Sequence, residues 1–166
     1  MMVKRYILCC LLFLLALSAC ERDDICAEST PTTPLLVIAF FDENNRTQSK
    51  PINLEVSAVG GMDTIKIEND TIISIPLRTD ATNTSFIFYK NRNIPGAVED
   101  PDNRDRVTFN YNINEIYIDR ACGFKVNYDA LTAQAIGGSD DRWISDISIN
   151  NSTIINDSTY QVSIIH

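Results

Sequence analysis

Histidine is nearly missing from this chain; the one copy is His166, the last residue. Ser-His and Cys-His mechanisms need an imidazole held in a packed site by a third group. A chain end is usually mobile, so His166 is expected at the surface and outside any such device. The shortage also excludes a metal-spaced histidine cluster. No nucleophile elbow of the G-x-S-x-G form is present, and Gly137-Gly138-Ser139-Asp140-Asp141 reads as a loop. Neither a P-loop nor a dinucleotide fingerprint occurs, so no cofactor is expected. Basic residues are scarce too, 14 against 22 acidic ones, for a net charge of −8. Such a surface repels phosphate backbones, which argues against nucleic acid as a partner. The plain meaning of the charge is solubility.

Long apolar runs are also lacking. The longest, Tyr6 to Leu17, falls short of the roughly 20 residues that span a bilayer. What surrounds it is more telling. Lys4 and Arg5 precede it, and the small-residue stop Ser18-Ala19-Cys20 follows. A basic start, a short apolar core and small residues before a cut site describe a secretory signal. Leu17-Ser18-Ala19-Cys20 has the form of a bacterial lipobox, so Cys20 is expected to become the lipidated first residue. Cleavage there removes 19 of the 166 residues and leaves 147, enough for one domain with a real core. Lys4 and Arg5 leave with the signal, which takes the net charge to about −10.

Of five cysteines, Cys9 and Cys10 lie in the signal and Cys20 carries the lipid, so only Cys26 and Cys122 remain. In an oxidising compartment two such thiols are expected to form one disulfide; the alternative is two buried free thiols. A closed loop of that size contributes roughly 4 to 5 kcal/mol on the chain-entropy view. Residues 20–33 read as a tether: charged Glu21-Arg22-Asp23-Asp24, then Ser29-Thr30-Pro31-Thr32-Thr33, polar and stiffened by proline.

From 34 to 166 the pattern is one of short strands. Leu35 to Phe41 is a continuous apolar run, expected to be a strand central in a sheet. Pro51 to Ala58 and Thr64 to Glu68 alternate, with Gly60-Gly61-Met62-Asp63 as a hairpin loop between them. Thr71 to Leu77 contains Pro76, which suggests an edge strand or a bulge. Further strands are expected at Ser85–Tyr89, Arg106–Tyr111, Glu115–Asp119, Gly123–Tyr128, Trp143–Ile149 and Tyr160–Ile165, with a short one at Ser152–Ile155. Asn-Asp and Gly-Gly pairs punctuate them. The one helix-like stretch is Ala130 to Ala135. The class is all-β: an antiparallel sandwich, Ig-like or similar, of about 7 to 9 strands, with a closed barrel as the alternative.

Candidate chemistry is sparse. Glu99 to Asp105 invites a calcium loop built on Asp100, Asp102 and Asp105. An EF-hand begun at Asp100 fails at its fifth, sixth and twelfth positions, which are Arg104, Asp105 and Tyr111. A solvated acidic loop is the favoured reading, and no metal site is assigned. Paired carboxylates could hydrolyse glycosides, but in so acidic a chain a pair can always be chosen. Trp143 is expected in the core or at its rim. No pocket is expected where perturbed acids or bases converge near Asp100, Asp102, Asp140, Asp141 or Trp143. Asp63-Thr64-Ile65, Asp70-Thr71-Ile72 and Asp157-Ser158-Thr159 resemble the acceptor pattern of O-glycosylation in Bacteroidetes envelopes, at Thr64, Thr71 and Ser158. Turn exits alone account equally for such tripeptides.

Taken together, Cys26-Ala-Glu-Ser-Thr-Pro-Thr-Thr-Pro-Leu-Leu-Val-Ile-Ala-Phe-Phe-Asp42, Thr71 to Leu77, and Ile116-Tyr-Ile-Asp-Arg-Ala-Cys-Gly-Phe124 resemble a family of small Bacteroidetes lipoproteins, a domain of unknown function. The resemblance implies an envelope location, the pairing of Cys26 with Cys122, and an outer-membrane barrel protein as a neighbour and candidate partner. It implies no catalytic residue. Glu21 to Asp24 directly behind Cys20 resemble a surface-export signal, which favours the outer face; a hydrated spacer in the periplasm is the alternative. The leading expectation is a non-enzymatic binding or accessory subunit at the outer membrane. The alternatives are a carboxylate-dependent hydrolase acting on carbohydrate and a surface adhesin or stalk component.

Overall fold

The computed structural model describes residues 25–92, 103–137 and 142–166. The signal segment, Cys20, Asp100, Asp102, Asp140 and Asp141 lie outside the described residues. Those described fall into two compact units. One holds residues 25–31 and Tyr117–Phe124, the other the described residues of Thr32–Ile116 and Lys125–His166.

Nine strands run in chain order: β1 Leu36–Phe41, β2 Ile52–Ala58, β3 Thr64–Asp70, β4 Ile72–Ile75, β5 Asn83–Lys90, β6 Arg104–Asp119, β7 Gly123–Gly137, β8 Asp146–Ile149 and β9 Val162–Ile165. They form a four-stranded sheet in the order β4-β1-β9-β8 and a five-stranded sheet in the order β3-β2-β5-β6-β7. The fold is all-β and sandwich-like.

The alternation of side chains explains the core. Along β5, Thr84, Phe86 and Phe88 are buried, and along β6 Asp105, Val107, Phe109 and Tyr111 are. Leu36, Ile38 and Phe40 from β1, Ile73 and Ile75 from β4, and Val162 and Ile164 from β9 join the same core. A strand presents every second residue to one face, so this set is the inner face of the sandwich. Burying a Phe or Ile side chain is worth about 1.5–3 kcal/mol, and the inner face holds Phe40, Phe86, Phe88 and Phe109.

The apolar run of β1 is central, antiparallel to β4 on one side and parallel to β9 on the other. β2 and β3 pair antiparallel around a turn in which Gly60 has φ +85, a conformation that favours glycine. β4 is an edge strand that stops at Ile75, so Pro76, with no N–H to donate, falls just beyond it.

Four expectations change. Ala130–Ala135, read as helix-like, belongs to β7. Its alanines and glutamine favour helix by intrinsic preference, but Leu131 is buried and Thr132 and Gln134 are exposed, which is a period of two. Ala130 has φ +54, a left-handed value rare for residues other than glycine. Across it the inward parity switches from Val126 and Tyr128 to Leu131, Ala133 and Ala135. Arg106–Tyr111 and Glu115–Asp119 are one strand, β6. Trp143 precedes β8, which starts at Asp146. Ser152–Ile155 is no strand; Ile154 makes an isolated bridge to Tyr128.

Candidate functional site

β9 ends in the centre of its sheet, and His166 follows it directly. The His166 N–H donates to the Phe41 carbonyl at 3.0 Å, and its main-chain oxygen accepts from the Glu43 N–H at 3.2 Å and from Lys50 Nζ at 2.8 Å. Lys50 also pairs with Asp42 at 2.9 Å. The Lys50 hydrogen bond, helped by the Asn44 N–H, holds the Asp42 carboxyl down at about 2. The last residue is thus clamped by the 41–50 segment and is only 6% exposed. The expected surface placement of His166 is corrected: a strand in the middle of a sheet carries its terminal residue inside with it.

The imidazole stands edge-on between Phe40 and Trp143, with ring centroids at 6.0 and 5.9 Å. Trp143 Nε1 donates to the Phe88 carbonyl at 3.4 Å, and Lys90 Nζ sits 5.3 Å from the centre of the indole. Among the described residues, neither ring nitrogen of His166 finds a hydrogen-bond partner. Burial first, then the positive charges of Lys90 and Lys50, push the imidazole down to about 4. Lys90 is lowered as well, by burial and by Lys50, against the pull of Asp105 and Glu43. His166 and Lys90, both lowered by burial, lie beside the Trp143 indole with no hydrogen bond between them. The cue for His166 was the apolar run Ile164-Ile165 before it; nothing local marked Lys50 or Lys90.

The chemistry of this group is restrained. At neutral pH the imidazole is uncharged, closed in by aromatic rings and, among the described residues, bonded to no nucleophile. A base poised far below the working pH is a poor proton acceptor. The cluster ties the end of β9 to the 41–50 segment and leaves Lys90 as its half-buried cation.

Asp105 is not on an open loop. It lies in β6, fully buried, and its Oδ2 accepts from the Ile144 N–H at 2.8 Å. That strand position makes it a structural acceptor, and its place in a calcium loop is withdrawn. Among the described residues no three His, Cys, Asp or Glu side chains are grouped to hold a metal. Thr64 and Ser158 are exposed and Thr71 is half-buried. Thr64 Oγ1 lies 3.2 Å from Ser57 Oγ, and the Ser158 N–H donates to Asn156 Oδ1 at 3.1 Å.

In the smaller unit, Cys26 and Cys122 are bonded, with Cα atoms 4.9 Å apart. Cys122 sits in the turn between β6 and β7. Asp119 Oδ1 accepts from the N–H groups of Ala121 at 2.8 Å and Cys122 at 2.7 Å. Gly123 closes the turn with φ +71, where a side chain would meet no neighbour but the backbone would be strained. Beside this turn Tyr117 and Phe124 meet edge to face at 5.2 Å, yet stay 57% and 65% exposed.

A family of unknown function (DUF6452) matches residues 53–166, and the chain belongs to it. The matched part holds Cys122 and the whole of β3 to β9, but not Cys26 or β1. No curated protein and no solved structure matches the chain.

Proposed function

We propose that this member of the family is a lipoprotein of the cell envelope, anchored through Cys20 and acting as a non-catalytic binding or accessory subunit at the outer membrane. The observation that carries the reading is the order of residues 4–26. A basic start, a short apolar core and a lipobox lead to an acidic spacer and then to a half-cystine. The Cys26–Cys122 bond fits an oxidising compartment. The neutral, enclosed state of the single imidazole supports a role without acid–base chemistry. Glu21 to Asp24 favour the outer face, and a barrel protein of the outer membrane is the favoured partner.

Mass spectrometry of the mature N-terminus tests the anchor. Acyl chains on Cys20, and release of Cys20→Ala from the membrane fraction, are expected, since each buried methylene contributes about 0.8 kcal/mol. A free N-terminus elsewhere, or an uncleaved Lys4–Leu17 segment, overturns it.

A further inference from the structure

The turn that carries Cys122 is far from Cys20 in sequence, yet the disulfide brings it close. Cys26 follows Cys20 by six residues. Even fully extended, that stretch reaches no more than about 22 Å. The bond then places the Cys122 Cα 4.9 Å from that of Cys26. Whatever surface Cys20 is fixed to, the β6–β7 turn is held within a few tens of ångströms of it. This turn displays apolar groups that the protein leaves uncovered. Tyr117 and Phe124 form an exposed aromatic pair, and Ile25, next to the half-cystine, is 89% exposed. Arg120, also exposed, lies between them in the turn. Aromatic rings with an apolar body and a polar edge or neighbour favour the headgroup region of a bilayer, where cations meet lipid phosphates.

We infer that the β6–β7 turn is a second membrane contact: Tyr117 and Phe124 rest in the lipid interface of the same leaflet that holds the acylated Cys20, and the disulfide exists to keep them there. This rests on the lipidation proposed above. The occupant is lipid rather than a partner protein because the anchor's own reach limits what the turn can face.

The test uses the full chain, lipidated in cells and reconstituted into vesicles of phosphatidylethanolamine and phosphatidylglycerol containing acyl-brominated lipid. The native chain has a single indole, Trp143, which serves as the reference. Tyr117→Trp and Phe124→Trp each add one at an exposed position, where the substitution costs little folding. The expected result is that brominated lipid removes most of the added emission, and that Cys122→Ser in the same background restores it. Added emission that resists bromolipid in a chain shown to be acylated and vesicle-bound overturns the proposal and leaves the anchor standing. Protection of the added indoles only when outer-membrane proteins are included overturns it in favour of a protein partner. A chain that carries no acyl group and does not float with vesicles removes the anchor itself, and this contact with it.

Discussion

Two buried polar knots lie in the larger unit, and they are built on opposite terms. At Tyr111 every group finds a partner. Its hydroxyl donates to the Arg78 carbonyl at 2.9 Å and bonds Thr84 Oγ1, which accepts the Arg78 N–H at 2.9 Å. Tyr128, edge-on to Tyr111 at 5.0 Å, donates to the Leu77 carbonyl at 3.2 Å. At His166 the main chain is fully engaged, but among the described residues both ring nitrogens lack partners. The first knot is a means of burying polar atoms without penalty. The second accepts a penalty, because a buried polar atom left unbonded costs about 1–3 kcal/mol. The electrostatics agree in direction: burial raises both tyrosines, Tyr128 to about 12, and lowers His166 to about 4. In each case the neutral form is the one the interior keeps.

The sharpest way to break the tyrosine knot is to remove its bulk. Tyr128→Ala empties a fully buried site and is expected to lower stability by about 3–5 kcal/mol, read from the denaturant midpoint. An effect near zero would show that the two tyrosines are not part of the core.

The next effect sharpens the other side. The His166 imidazole binds a proton near pH 6.5 when unfolded and only near pH 4 when folded. Stability is therefore full above pH 6.5, falls as the pH drops through that window, and levels off below about 4. The loss should reach about 2–3 kcal/mol. Asp42, held down at about 2, adds its own loss only below its ordinary 3.8. Chemical unfolding across pH 7 to 4 should show the slope in the native chain and not in His166→Phe. A slope that survives the substitution assigns the effect to other groups.

At neutral pH the two knots should answer a conservative change with opposite signs. Tyr111→Phe deletes a satisfied hydroxyl and strands the Arg78 carbonyl, so a loss of about 1–2 kcal/mol is expected. His166→Phe deletes two unbonded nitrogens and should be neutral or stabilising by up to about 1 kcal/mol. Equal losses would mean that the imidazole has partners after all. The smallest effect is at Lys90→Met. Removing that cation should move the His166 titration, followed by NMR, upward toward its usual 6.5.

The difference between the knots also marks what a reader of the sequence could see. Strand after strand was legible, because alternation of apolar and polar residues reports one wet and one dry face. The buried run Leu36–Phe41 announced a central strand, and Pro76 an edge. The disulfide was legible because only two cysteines, Cys26 and Cys122, follow Cys20. The continuation of β7 through Ala130 was not: a small-residue stretch satisfies helix preference and strand alternation alike, and only packing beside β6 decides between them. Asp105 looked like part of an acidic loop because its sequence neighbours are charged. Its partner, the Ile144 N–H, lies 39 residues further on.

What the sequence by itself determined, then, is whatever depends on near neighbours: the strand class and the turn at Gly60. The tertiary structure decided what depends on distant pairing. β1 and β9 lie more than a hundred residues apart, and their parallel register, Ile38 with Val162 to Phe41 with Ile165, carries the last residue into the core. No local pattern encodes that register, because parallel pairing is specified by the fit of two remote strands inside one sheet. Burial of His166, its unbonded nitrogens and its approach to Lys90 and Trp143 all follow from that pairing.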